Sequence, residues 1–171
     1  MPDFRQQALD YHEFPKPGKI SVELTTPADS VTDLALAYSP GVAEPVREIA
    51  ADPNAAYKYT AKGNLVAVNT NGTAILGLGN LGPLASKPVM EGKALLFKHF
   101  AGIDSIDIEV KHRTTEEFIN TVANIADTFG GINLEDIKAP EAFEIERRLK
   151  EELDIPVIPV TYTRLTLPTQ H

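Results

Sequence analysis

Apolar and polar positions change rhythm along this chain, and the rhythm predicts most of its elements. From Thr114 to Phe129 apolar residues recur at helical spacing, with Glu116 and Glu117 in the first turn, which predicts a helix. Glu141 to Leu153 carries the same spacing on a charged background and predicts a second amphipathic helix. A helix is also expected from Pro88 to Phe100. Ser105 to Val110 alternates with period two, as a strand does. Leu65 to Val68 and Thr73 to Leu76 read as strands across an Asn71-Gly72 turn, a hairpin pattern. Ile132 to Asp136 is a short strand ending in acids, and Ile155-Pro156-Val157 opens another.

The N-terminal third is less regular. Pro15, Pro17 and Gly18 break it, and Lys19 to Leu24 alternates like a short strand. A helix from Thr26 to Ala37 is expected, with Pro27 near its start, and a second from Val42 to Ala50. Tyr38-Ser39-Pro40-Gly41 separates the two, and Asp52-Pro53-Asn54 is a turn. From residue 65 onward strand and helix alternate. The expected architecture is therefore α/β, a small mixed sheet flanked by helices, with some parallel pairing.

Composition narrows the class. At 171 residues, 43% of them hydrophobic, the chain holds one domain and a core of its own. It has no cysteine, which excludes disulfides and thiolate metal sites and fits a reducing cytoplasm. A formal net charge of −8 disfavours nucleic acid as a partner. No apolar run approaches the roughly 18 residues of a membrane span. The expected location is cytoplasmic.

Four constellations could carry chemistry. Gly77-Leu78-Gly79-Asn80-Leu81-Gly82 matches the G-x-G-x-x-G phosphate turn, with Asp104 downstream. That turn should open a helix directly, whereas Pro83 follows at once and Pro88 soon after. A close-packed loop explains Gly77, Gly79 and Gly82 equally well. Glu135-Asp136 ends a strand and suits a hard divalent cation, provided a turn makes the two carboxylates converge. Solvated acids at a strand end are the plainer explanation. Ser39 to Val42 precedes a helix whose first amides could hold a carboxylate. Tyr38 reads equally as a packing tyrosine. Lys93 lies within an apolar helix; held in an apolar pocket it would be a base, otherwise it reaches solvent. His12, His99, His112 and His171 show no metal-ligand spacing.

Four segments together resemble the bacterial malic enzymes. They are Ala37 to Pro45, Ile75 to Gly82, Glu91 to Phe97 and Ile132 to Ile137, in the family's order. The resemblance is to the NADP-dependent, multidomain type and covers about residues 5 to 157. It implies a malate-binding N-terminal domain over 1–157 and an atypical tail over 158–171. It implies oxidative decarboxylation of L-malate to pyruvate and carbon dioxide. Carried over, Lys93 is the general base and Tyr38 the general acid. Lys93, Ser39, Gly41 and Val42 bind substrate. Glu135 and Asp136 bind Mg²⁺ or Mn²⁺. The resemblance implies that NADP is bound by a separate domain later in the family's chain, which counts against Gly77, Gly79 and Gly82 as its site; a small nucleotide-binding protein using that loop is a third, lesser reading. The family resemblance further implies a homodimer in which Tyr38 serves the neighbouring subunit.

One departure stands out. The family's third metal ligand is an aspartate at the position occupied here by Thr161. With that ligand and the nucleotide domain both lacking, the chain is expected to be inactive alone. The alternative is a non-catalytic dimerisation or dicarboxylate-binding module.

Overall fold

A computed structural model describes residues 3–160. Thr161 and the remainder of the expected tail lie outside the described residues. The first elements are short helices: α1 (Phe4–Glu13), α2 (Val31–Ala37), α3 (Ala43–Ala51) and α4 (Ala56–Tyr59). None of them buries a residue. Two side chains set their starts. Asp3 accepts the Arg5 amide, and Ser30 with Asp33 forms a reciprocal capping box. That box corrects the expected start of α2, placing it at Val31 rather than at Thr26. The strand expected over Lys19 to Leu24 does not form. Val22 and Leu24 are exposed there, and no strand lies beside them to complete a ladder.

The remaining elements are β1 (Leu65–Thr70), α5 (Pro83–Ala101), β2 (Asp104–Glu109), α6 (Thr115–Ile125), β3 (Gly131–Leu134), α7 (Glu141–Glu152) and β4 (Val157–Ile158). The sheet order is β2-β1-β3-β4, and every pairing is parallel. The small sheet flanked by helices is therefore present. β4 includes Ile158, and Val160 packs against the core.

Register sorts the two faces. Ala67 pairs with Ile132, and Ile132 with Val157, and all three join one apolar cluster. Phe118, Ile119 and Val122 of α6 and Ile145 and Leu149 of α7 complete it. These are the residues at helical spacing that the sequence pattern marked. Each fully buried side chain of this size contributes about 1.5–3 kcal/mol. The opposite face is covered by α5, which packs on β1 and β2 and buries Met90 and Ala94.

Two expectations fail here. The hairpin over residues 65–76 is absent. β1 runs on to Thr70 and takes parallel neighbours on both sides, so no edge is left for a returning strand. Asn71 to Ala74 instead bends away, and Ile75 bridges Gly79 within the following loop. The helix expected at Pro88 begins at Pro83. Pro83 takes the helix's opening position, where a missing N–H costs nothing, and Pro88 is carried inside. Gly102, at φ +67°, terminates α5.

Candidate functional site

The sheet's connectivity reverses at β1. The chain leaves β1 through α5 to β2 on one side, then crosses by α6 to β3 on the other. Parallel sheets offer a crevice at such a reversal, outside the carboxyl ends of the two strands. Glu135 and Asp136 lie at that point, directly after β3.

The backbone there is tightly fixed. The Glu135 amide donates to Asn69 O at 3.0 Å, which extends the β1–β3 ladder by one residue. Asp136 then adopts φ +53°, a left-handed conformation rare outside glycine, asparagine and aspartate. This is the turn that two adjacent strand-end carboxylates need in order to leave the alternation of the strand. The loop after β1 holds it in place. Ala74 donates its amide to Asp136 O at 3.0 Å, and the Lys138 amide donates to Thr73 Oγ1 at 2.9 Å. The Thr73 hydroxyl in turn donates to Asn71 Oδ1 at 2.7 Å. The segment expected as a second hairpin strand is thus a clasp on the acidic turn.

Lys93 reaches the same place from α5. Its Nζ lies 2.8 Å from Glu135 Oε1, with the lysine side chain 30% exposed and the glutamate 13%. Its surroundings are therefore an ion pair and not the apolar pocket considered from sequence. Asn133 Nδ2 donates to the same glutamate oxygen at 3.3 Å. Asp136 Oδ2 is buried without a hydrogen-bond partner. Burial, and secondly the charge of Glu135, push the Asp136 carboxyl up to about 6. A buried, unpartnered carboxylate oxygen beside a second carboxylate fits two positions of a divalent-cation shell. Among the described residues no group of three or more carboxylate or imidazole side chains could hold a metal.

The other expected residues stand apart. Tyr38 caps α2, its side chain is 76% exposed, and no hydrogen bond or ion pair joins it to Lys93, Glu135 or Asp136. In the segment Ser39 to Val42, the Gly41 amide donates to Ala35 O and the Val42 amide to Tyr38 O. Those two amides are engaged by carbonyls of α2 and its C-cap. Gly77, Gly79 and Gly82 all have positive φ and form the loop that leads into α5. The loop does open a helix, as a phosphate turn would, but it does not follow a strand directly: β1 ended at Thr70.

Sequence reasoning missed a second charged group. Lys87 Nζ lies 2.5 Å from Asp107 Oδ2 and within 4.0 Å of both Glu91 and Glu109. Its signal was present in the strand pattern. Asp107 and Glu109 occupy alternate positions of β2, so two acids share the face that α5 covers.

The family model for the malic enzyme N-terminal domain matches residues 17–117 and 111–150. The chain is 72% identical, over 90% of its length, to the NADP-dependent malic enzyme of Halomonas elongata, of which it covers 36%. It is 67% identical over 90% of its length to the NADP-dependent malic enzyme of Salmonella typhimurium, covering 20% of that protein. The crystal structure of malic enzyme from Pyrococcus horikoshii superposes with a TM-score of 0.89 at 57% identity. That match covers 92% of this chain and 37% of the solved one. The chain thus spans about a third or less of the length of these curated relatives.

Proposed function

This chain belongs to the malic enzyme family, as its N-terminal domain, and from that premise we propose that it supplies the malate-handling residues for oxidative decarboxylation of L-malate to pyruvate and carbon dioxide. The convergence of Lys93 with Glu135 and Asp136 at the sheet's reversal point carries the reading. All three residues, and Tyr38, lie inside the stretch matched by the family model.

Lys93 is the base for the malate 2-hydroxyl proton. To act so it must first leave Glu135, which now holds it as an ion pair. Glu135 and Asp136 would hold Mg²⁺ or Mn²⁺, which when bound supplies an electrophile for the ketone oxygen and the enolate left by carbon dioxide. Asn133 keeps Glu135 Oε1 supplied with a donor when the lysine departs. Tyr38 is the acid for the enol carbon, delivered to the site of a second copy. Its exposure supports that role, as do the exposed apolar side chains Leu34, Leu36, Val42 and Val46 around it. The active assembly is then a homodimer acting in the cytoplasm, with NADP bound outside the described residues. Ser39 remains the best placed of the loop residues for a substrate carboxylate, since the Gly41 and Val42 amides are already engaged.

The same exposed surface favours a second reading, a non-catalytic dimerisation module that binds dicarboxylates. Calorimetry separates the two and tests both. Titration with L-malate in the presence of Mn²⁺ is expected to show malate binding that Lys93→Ala abolishes, and titration with NADP to show none. A dimer that ignores malate would favour the non-catalytic module. NADP binding lost on Gly79→Asp would replace both readings with a nucleotide site at the 77–82 loop.

A further inference from the structure

Sheet and core hold the two ends of the acidic turn. The Glu135 amide is bonded to Asn69 O, and Ile137, 1% exposed, is buried in the apolar cluster. Between them Asp136 sits at φ +53°, a conformation that an aspartate keeps only where its surroundings impose it. In extended geometry residues 135 and 136 would point to opposite faces, and the two carboxylates would part. The buried, unpartnered Asp136 Oδ2 would leave with its residue. What restrains the middle of the turn therefore decides whether the acids converge.

That restraint comes from the loop after β1. The Ala74 amide donates to Asp136 O at 3.0 Å. The Lys138 amide donates to Thr73 Oγ1 at 2.9 Å, and the same hydroxyl donates to Asn71 Oδ1 at 2.7 Å. Asn71 Oδ1 also accepts the Thr73 amide at 3.2 Å, and Asn71 is itself buried. The Thr73 hydroxyl is thus an acceptor toward the turn and a donor toward a fixed acceptor, a chain in which each bond polarises the next. The loop's other ties reach the rest of the site. The Gly72 amide donates to Thr70 Oγ1 at the end of β1. Gly72 O accepts the amide of Gly82, the residue that precedes α5 and hence Lys93. One short loop joins β1, α5 and the turn after β3.

We propose that Thr73 is a positioning residue of this site: its hydroxyl, bonded to Asn71 and to the Lys138 amide, keeps Asp136 left-handed and so keeps Glu135 and Asp136 together for a divalent cation. The purpose of that convergence rests on the metal reading given under the proposed function, whereas the geometry does not. Thr73 needs no contact with metal or substrate. It acts through the neighbouring Ala74 amide, which reaches Asp136 O only while the loop keeps its course.

Two substitutions test it on the full chain. Thr73→Val keeps the branched shape and removes the hydroxyl, and Thr73→Ser keeps the hydroxyl. Amide hydrogen exchange at Ala74, corrected for intrinsic rate, reads the turn without metal. Protection there should fall about three- to tenfold in Thr73→Val. Mn²⁺ affinity, read by electron paramagnetic resonance where circular dichroism shows a folded chain, should fall about three- to tenfold as well. A loss of stability alone would leave that affinity unmoved. Thr73→Ser should keep both properties of the unmodified chain. Full protection of Ala74 in Thr73→Val, or unchanged Mn²⁺ affinity there, would overturn the inference. So would a folded Thr73→Ser with weakened Mn²⁺ binding, even if the valine variant failed to fold. An unmodified chain that takes up no Mn²⁺ overturns the metal reading instead, and Ala74 protection then decides for Thr73.

Discussion

Lys93 Nζ sits 2.8 Å from Glu135 Oε1, so the expected base and an expected metal ligand neutralise each other. A dication arriving at Glu135 must displace the ammonium. An ion pair this accessible to water is worth about 1 kcal/mol. Lys93→Ala is therefore expected to bind Mn²⁺ about fivefold more tightly while losing malate. Titration followed by electron paramagnetic resonance reads the Mn²⁺ affinity. Weaker Mn²⁺ binding in the variant would mean that the lysine supports the acidic turn and does not compete for it.

Asp136 makes a pH-dependent contribution of definite sign. Its carboxyl is raised from 3.8 to about 6, so the folded state binds more protons than the unfolded chain between those values. Stability from this group is complete below the window and is lost as pH rises through about 6. Asp136→Asn removes the loss and keeps a residue that tolerates the left-handed backbone. After a discount for solvent screening, the variant should be about 1–2 kcal/mol more stable at pH 7. Urea midpoints at pH 5 and pH 7 measure the difference, which should be larger at the higher value. The same variant should bind Mn²⁺ more weakly.

Two glycines of the loop after β1 should respond very differently to alanine. A Cβ on Gly72, at φ +64°, would lie 2.0 Å from the Gly82 carbonyl oxygen. The Gly82 amide also donates to Gly72 O, so the two ends of the loop cannot separate cheaply. Gly72→Ala should cost about 2–4 kcal/mol. Gly77, at φ +74°, faces open space, and alanine there costs only the backbone strain of about 1 kcal/mol. Thermal denaturation of both variants gives the comparison. Equal losses would show that Gly72 and Gly82 do not pack as described.

The exposed apolar residues of α2 and α3 predict an oligomer that charge can break. Leu36 and Val46 are well exposed and lie outside the core cluster. Leu36→Glu with Val46→Glu should leave the melting of the sheet layer unchanged. It should convert a species of twice 18.6 kDa into one of 18.6 kDa in sedimentation equilibrium. A chain that is monomeric before substitution would remove the support for Tyr38 acting in trans.

Periodicity made the two-sided layer legible. Phe118, Ile119 and Val122 stand on the face that their spacing marked, and the alternation over Ser105 to Val110 marked the strand that runs Asp104–Glu109. What escaped was set by distant neighbours. Thr73 and Ala74 carry strand-like residues, yet their hydrogen bonds go to the turn around Asp136, far along the chain. Pro88 looked like a helix start because proline favours that place, and Pro83 had the better claim beside Gly82. The left-handed turn at Asp136 depends on how strands are ordered, which no local pattern encodes, whereas the alternation of Asp107 and Glu109 marked their shared face without naming the α5 lysine that meets them. The family resemblance selected Lys93, Glu135 and Asp136 together where residue chemistry alone left each ambiguous.

The sheet order has a consequence for biosynthesis. β1 is an inner strand, but both of its neighbours are made after it, and β3 only at residues 131–134. While the ribosome works between β2 and β3, the apolar strand Leu65–Thr70 presents an unpaired edge. Such an edge recruits other strands. A pause in translation within α6 would hold the nascent chain in its most aggregation-prone form, and quick passage through that segment protects the yield of folded protein.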